Sequence, residues 1–247
     1  MRTIRHHVDR QARERPGAPY LIAPETGRTM TYADLKRESE ALGRQLLAQG
    51  LAKGDKVALM LHNSYQAARL LIGVMYSGFT VAPLNLLSQP SQLAYVLEHS
   101  DAKLVFASSD HIPQLAATLE KISRKINYLI IDPDSAEIFD GAASELRLPA
   151  VEESDDALLM YTSGTTGKPK GCVLSQKSVA AGGEFTSAAH ELGPHDRVLC
   201  AMPLYHINGQ IVTTVAPLVH SGSVVMPRRF SASGYWDLVA RHGCTWI

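Results

Sequence analysis

The sequence is poor in the features that mark several function classes. It has only three cysteines in 247 residues: Cys172, Cys200 and Cys244. The count is odd, the spacing is wide and no Cys-x-x-Cys pair occurs, which excludes a disulfide framework and a structural zinc site. Each cysteine reads as a small core residue. Net charge is also lacking, because 24 Lys and Arg balance 24 Asp and Glu. That leaves no broad electrostatic footprint for nucleic acid or an anionic membrane. Long apolar runs are missing. The most apolar stretch, 70–84, is broken by Gly73, Ser77, Gly78, Thr80 and Pro83, so it is too short and too interrupted to span a bilayer. The start carries Arg2, Arg5, His6, His7 and Arg10 with no apolar segment behind them. It is therefore not a secretory signal and reads as an exposed first helix. A cytoplasmic protein is expected.

What is present is an alternation of helical and strand patterns. Helices are predicted over 34–49, 64–77, 91–99, 114–125, 177–191, 210–220 and 235–242. In the first of these Leu35, Leu42 and Leu46 share a face and Gly50 marks the stop. Asn63 or Ser64 supplies the N-cap of the second. Strands are predicted over 56–61, 81–84, 103–107, 127–131, 157–161, 197–202 and 223–226, with another beginning at Cys244. The segment 134–155 is polar and irregular, and Asp155-Asp156 reads as a solvated turn rather than a catalytic acid pair. The pattern implies an α/β fold: largely parallel sheets flanked by helices on both faces.

The most informative run is Tyr161-Thr162-Ser163-Gly164-Thr165-Thr166-Gly167-Lys168-Pro169-Lys170-Gly171. It holds three glycines, four Ser/Thr hydroxyls and two lysines directly after the strand pattern 157–161. Glycines let backbone N–H groups converge on an anion, while hydroxyls and lysines supply further donors and charge. A loop at the C-terminal end of a strand is where open α/β sheets place their ligands. The run is not the common P-loop, because Gly164 and Gly167 are too close and Pro169 stands where Ser or Thr follows the lysine. His206, in Met202-Pro203-Leu204-Tyr205-His206-Ile207-Asn208-Gly209, is a second candidate, although a lone histidine in such a turn is more often structural. Asn208, Gly209 and Gln210 either line a pocket or lead into the next helix, with Asn208 as its cap. No histidine spacing suggests a metal site, and His6, His7, His190 and His195 read as surface residues.

The run 162–171 resembles the phosphate-loop signature of the adenylate-forming superfamily, which includes acyl-CoA synthetases, adenylation domains of peptide synthetases and luciferases. Three more stretches resemble that family in order and spacing. They are Thr29-Met30-Thr31-Tyr32-Ala33-Asp34-Leu35, Ser77-Gly78-Phe79-Thr80-Val81-Ala82-Pro83-Leu84-Asn85, and the stretch around His206, which is similar to an element typical of acyl-CoA synthetases. The resemblance implies ATP-dependent activation of a carboxylic acid to acyl-AMP, then transfer to coenzyme A or, alternatively, to a carrier protein. A non-catalytic nucleotide-binding or interaction half-domain is the third reading. In the ligase reading, Thr162, Ser163, Gly164, Thr165, Thr166, Gly167, Lys168 and Lys170 hold the nucleotide phosphates, with solvent the alternative for Lys170. Thr166 reaches Mg²⁺, and His206 lies near the α-phosphate and the acyl pocket.

Family members are usually about twice this length, and Trp246-Ile247 ends inside an apolar run. The expectation is therefore an incomplete N-terminal adenylation (AMP-binding) domain over 1–247, without the mobile C-terminal domain. The acid itself is not legible, since pocket residues in the family lie largely beyond this stretch.

Overall fold

The computed structural model describes residues 2–135, 145–162 and 169–247. The Ser163–Lys168 part of the phosphate-loop run lies outside them, as do residues 136–144.

Two sheets carry the fold. The larger has six strands in the order β6-β5-β3-β4-β7-β8, comprising β3 (Lys56–Met60), β4 (Thr80–Pro83), β5 (Ala102–Ala107), β6 (Asn127–Ile130), β7 (Asp156–Thr162) and β8 (Lys170–Ser175). All its pairings are parallel except β7 with β8. The smaller has the order β2-β1-β10-β9, comprising β1 (Pro19–Ala23), β2 (Arg28–Thr31), β9 (Arg197–Leu199) and β10 (Ser223–Val225). Here only β1 with β2 is antiparallel. Trp246 adds a parallel bridge to Val198 beyond β9, as the apolar end of the sequence suggested. The chain is therefore α/β with mainly parallel sheets, each bordered by one antiparallel strand.

Helix α3 (Tyr65–Tyr76) shows why the sheets hold together. All twelve of its residues are buried: the Leu, Ile, Val, Ala and Met positions as a largely apolar helix requires, and Gln66 and Arg69 with polar partners. Its residues join those of β1, β3, β4 and β10 in one continuous apolar core. Ser64 is its cap, accepting from the Ala67 N–H. Gly78, at φ 85°, closes the far end and turns the chain into β4.

Helix α2 (Tyr32–Ala48) begins with a capping box. Thr31 Oγ1 accepts from the Asp34 N–H, and the Asp34 carboxylate accepts from the Thr31 N–H, both at 3.1 Å. The Tyr32 hydroxyl, fully buried, donates to the Gly222 carbonyl at 2.7 Å and lies 3.1 Å from that of Pro217. The Thr-Tyr-x-x-Leu element is thus a helix start and a core anchor.

Several expectations need correction. Helix α1 (Ile4–Glu14) is not simply exposed: it buries Ile4, His7, Val8 and Gln11. Its polar sequence hides this, because Gln11 and Arg10 bond to the Leu218 and Val219 carbonyls on a distant helix. Cys172 is exposed on the edge strand β8 and Cys244 is only half-buried, so Cys200 alone is a core thiol. Strand β8 falls where the sequence showed only a lead-in to α6 (Gln176–Ala189). Asp155 lies in a turn, accepting from the Glu152 N–H at 2.7 Å and paired with Lys53, whereas Asp156 opens β7.

His7 makes α1 sensitive to pH. It is 3 % exposed, and burial pushes its imidazole from 6.5 down to about 4, with nearby Arg10 adding to the effect. Glu184 Oε1 lies 3.7 Å from its Nε2, beyond hydrogen-bond distance. Below pH 6.5 the unfolded chain takes up a proton that the folded chain refuses until about pH 4. Stability is therefore lost as pH falls through that window, by an amount on the order of 3 kcal/mol at most. His220, also pushed down to about 4 by burial, acts with the same sign. Urea unfolding between pH 7 and pH 4.5 should show a steep loss in the wild type and a flatter one in His7→Leu. Equal slopes would exclude His7 as a source.

Candidate active site

Strands β4 and β7 pair in parallel at Val81 and Leu158, so their carboxyl ends leave the large sheet on the same side. Beyond β4 the chain runs through Leu84 to Asn85, whose side-chain oxygen accepts from the Leu87 N–H at 3.0 Å. Beyond β7 it leaves at Thr162, and it returns at Lys170, which is paired with Thr162 across the β7–β8 ladder. Both flanks of the phosphate-loop run are therefore pinned to one strand pair. Tyr161 lies opposite Gly171, where a methyl group would meet the tyrosine ring at 3.3 Å, so the glycine admits the ring. The Tyr161 hydroxyl pairs with His99 Nδ1 at 2.8 Å, and burial pushes the phenol up to about 12. His99 belongs to α4 (Pro90–Ser100), so that helix braces the root of the loop.

The opposite wall comes from the small sheet. After β9 the chain forms the turn Met202–His206, with the His206 N–H donating to the Pro203 carbonyl at 2.9 Å. The single helix expected over 210–220 is instead a π-helical stretch, Asn208–Val215, followed by α7 (Ala216–His220). The cause is local. The Thr213 and Thr214 hydroxyls donate to the Gly209 carbonyl at 3.1 and 2.6 Å and widen the turn. Gly209 itself lies against the Pro203 and Met202 carbonyls. Asn208 makes no side-chain cap. Gln210 is buried and donates to the Leu204 carbonyl at 2.6 Å, so it ties the turn down rather than facing a ligand.

These walls enclose a cleft of about 560 Å³ lined by Asn85, Tyr161, Thr162, Cys172, Tyr205, His206 and neighbours. A second, of about 190 Å³, shares Asn85, Tyr161 and Tyr205 and reaches Pro169. A third, of about 170 Å³, lies beyond Tyr205 with His62, Asn63, Arg228 and Arg229 on its walls. Three separate sequence elements thus meet at one place: the end of β4, the flanks of the phosphate-loop run and the Pro-Leu-Tyr-His turn. Of the expected site residues, Thr162 and His206 line the large cleft and both are exposed. Lys170 is exposed one step from Pro169. Ser163, Gly164, Thr165, Thr166, Gly167 and Lys168 lie outside the described residues. Tyr161, Tyr205 and His99 were not singled out from sequence. Tyr161 and Tyr205 carried a signal in their adjacency to the motifs, whereas His99 carried none.

Among the described residues, no helix is long and apolar enough to cross a membrane. The AMP-binding enzyme family model matches residues 8–247. The sulfoacetate–CoA ligase of Cupriavidus necator is 47 % identical over 242 residues, covering 96 % of this chain and 47 % of that protein. The long-chain-fatty-acid–CoA ligase FadD13 of Mycobacterium tuberculosis is 27 % identical, covering 97 % and 48 %. Among solved structures, the inhibitor-bound N-terminal domain of FACL13 from M. tuberculosis superposes with a TM-score of 0.84 at 25 % identity, over 99 % of this chain and 62 % of that one. ATP-bound MatB from Rhodopseudomonas palustris gives 0.82 at 26 % identity, over 96 % and 48 %. The chain spans about half the length of the two curated relatives named here. With the family model matched along nearly its whole length and its motif flanks gathered at one cleft, the chain belongs to the AMP-binding enzyme family.

Proposed function

We propose that this chain carries the phosphate-holding site of an ATP-dependent, AMP-forming acid–CoA ligase. The observation that carries the reading is the meeting of the loop flanks, Asn85 and Tyr205-His206 at one cleft. A thiol cannot displace oxygen from a carboxylate directly, because oxide is a poor leaving group. Attack of the carboxylate oxygen on the α-phosphorus of ATP forms acyl-AMP and expels pyrophosphate. The coenzyme A thiol, losing its proton, then attacks the acyl carbon and AMP leaves. The first step asks the protein for in-line placement and cancellation of phosphate charge rather than for covalent chemistry.

In this reading Ser163, Thr165 and Thr166 donate hydroxyl hydrogen bonds to the β- and γ-phosphates, and Gly164 and Gly167 donate backbone N–H groups. Lys168 and Lys170 supply charge, and Thr162 borders the phosphates. Thr166 reaches Mg²⁺, which offsets phosphate charge when bound. His206 faces the reacting carboxylate from the opposite wall. The residues of this chain fit that division. Exposed hydroxyl and ammonium groups stand at the loop flanks, and the cleft has room for a nucleotide phosphate chain beside a small acid. Sulfoacetate is the first acid to test, on the strength of the 47 % identical relative.

The test is ATP–pyrophosphate exchange by the protein expressed from its native gene, with sulfoacetate and a panel of short and long acids. Exchange with at least one acid is expected. No exchange with any acid would favour a non-catalytic nucleotide-binding role and overturn the reading. In an active protein, Lys168→Ala should remove a charge-assisted contact worth roughly 1.5–3 kcal/mol, a drop in exchange of roughly 10- to 150-fold. Unchanged exchange would take Lys168 out of the site.

A further inference from the structure

Asn63 lies between the end of β3 and α3, 4 % exposed. Ser64 caps the helix, so the Asn63 side chain is free to act elsewhere. It crosses to the loop after β9. Its Nδ2 donates to the Met202 carbonyl at 2.9 Å, and its Oδ1 accepts from the Leu204 N–H at 2.8 Å. These two oppositely directed bonds grip the backbone on either side of Pro203. One short carboxamide supplies a donor and an acceptor on two separate atoms; a carboxylate offers acceptors only, an alkyl group offers neither, and a hydroxyl would have to serve both backbone groups from one oxygen.

The rest of the turn is tied in sequence from this point. The Pro203 carbonyl accepts from the His206 N–H, and the Leu204 carbonyl accepts from Gln210 Nε2. Tyr205 and His206 are the first side chains after the clamp, and Tyr205 is a wall common to all three clefts. Asn63 is thus a direct link between the large sheet, which carries the loop flanks, and the turn that presents His206.

We propose that Asn63 is the positioning residue of this site. By clamping Met202 and Leu204 it fixes where Tyr205 and His206 stand relative to the loop on β7 and β8. Its amide is engaged by the Met202 carbonyl, the Leu204 N–H and Cys200 Sγ, so it acts through the turn rather than on the reacting atoms. This rests on the ligase reading only for the identity of the reaction, not for the geometry being held.

Two measurements on the protein from its native gene test it. The first needs no activity: hydrogen exchange at the His206 amide should accelerate tenfold or more in Asn63→Ala, with β3 and β9 amides still protected. Unchanged protection at His206, or loss spread evenly over the fold, would overturn the proposal. The second uses pyrophosphate exchange. Asn63→Ala and Asn63→Asp should lower kcat roughly 10- to 100-fold, with KM for ATP within about threefold of the wild type. Asn63→Asp should recover toward acid pH, where its protonated carboxyl again offers both a donor and an acceptor. Folded variants with wild-type kcat would overturn the proposal, as would an Asn63→Asp profile parallel to that of the wild type. A wild-type protein inactive with every acid would instead count against the ligase reading, and the amide measurement would still decide the role of Asn63.

Discussion

Replacing Arg69 by methionine is expected to lower folding stability by about 3–5 kcal/mol at neutral pH. Arg69 on α3 and Glu38 on α2 form a 3.0 Å pair whose side chains are 4 % and 12 % exposed. Burial pushes the guanidinium down and the carboxyl up, and each partner opposes the shift of the other. The methionine would fit the volume but leave Glu38 as a nearly buried charge, answered among the described residues by Arg37 from the surface. The loss should shrink as pH falls through the raised Glu38 pKa, because a protonated Glu38 no longer needs the cation. Urea unfolding at pH 7 and pH 5 checks this. The double variant Arg69→Met/Glu38→Leu should regain most of the loss, since replacing a buried pair by apolar groups is often neutral or better. A double variant as unstable as Arg69→Met would assign the cost to packing.

The second large effect is expected at Gly209. An alanine Cβ there would sit 2.5 Å from the Pro203 carbonyl oxygen and 2.9 Å from that of Met202. Both obstacles are backbone, and both belong to the turn that Asn63 and Gln210 hold in place. The turn must shift or the π-helical stretch must rewind. Either costs about 1–3 kcal/mol or more, in the manner of an overpacked core. The shift also moves Tyr205 and His206, so pyrophosphate exchange should fall further than stability does. Thermal unfolding and exchange measured on the same preparation separate the two losses. Gly209→Ala with wild-type values of both would mean that the turn is not rigid.

How much of this was legible in the sequence depends on whether the cause was local. Thr31 and Asp34 carry their own hydrogen bonds, so α2 starts at Tyr32, two residues before the pattern read from Asp34. The interior strands β3 and β5 are short apolar runs and lie close to where periodicity put them. Strand β8 is exposed along much of its length and exists because β7 pairs with it, so its residues alone read as a loop. Strands β1 and β2 are four or five residues each and take their place from pairing with each other and with β10. His7 looked like a surface residue because α1 is polar in sequence and the groups it meets, such as Glu184 of α6 at 3.7 Å, lie far along the chain. At the site, the motifs located the cleft, but the groups that steady it, Asn63 and His99, make their contacts across 60 residues or more.

The antiparallel β7–β8 pair has an electrostatic consequence. In a P-loop the strand feeds a helix, whose N-terminus adds roughly half a positive charge beside the phosphates. Here the chain re-emerges as a strand, and α6 starts only at Gln176, after the six residues of β8. That is about 20 Å of extended chain, so the start of α6 lies well away from Lys170, where the chain returns from the loop. In the ligase reading, Lys168 and Lys170 therefore have to supply what helix geometry supplies elsewhere. Lys170, exposed at the start of β8, carries its positive charge on a side chain open to counterions rather than in the backbone.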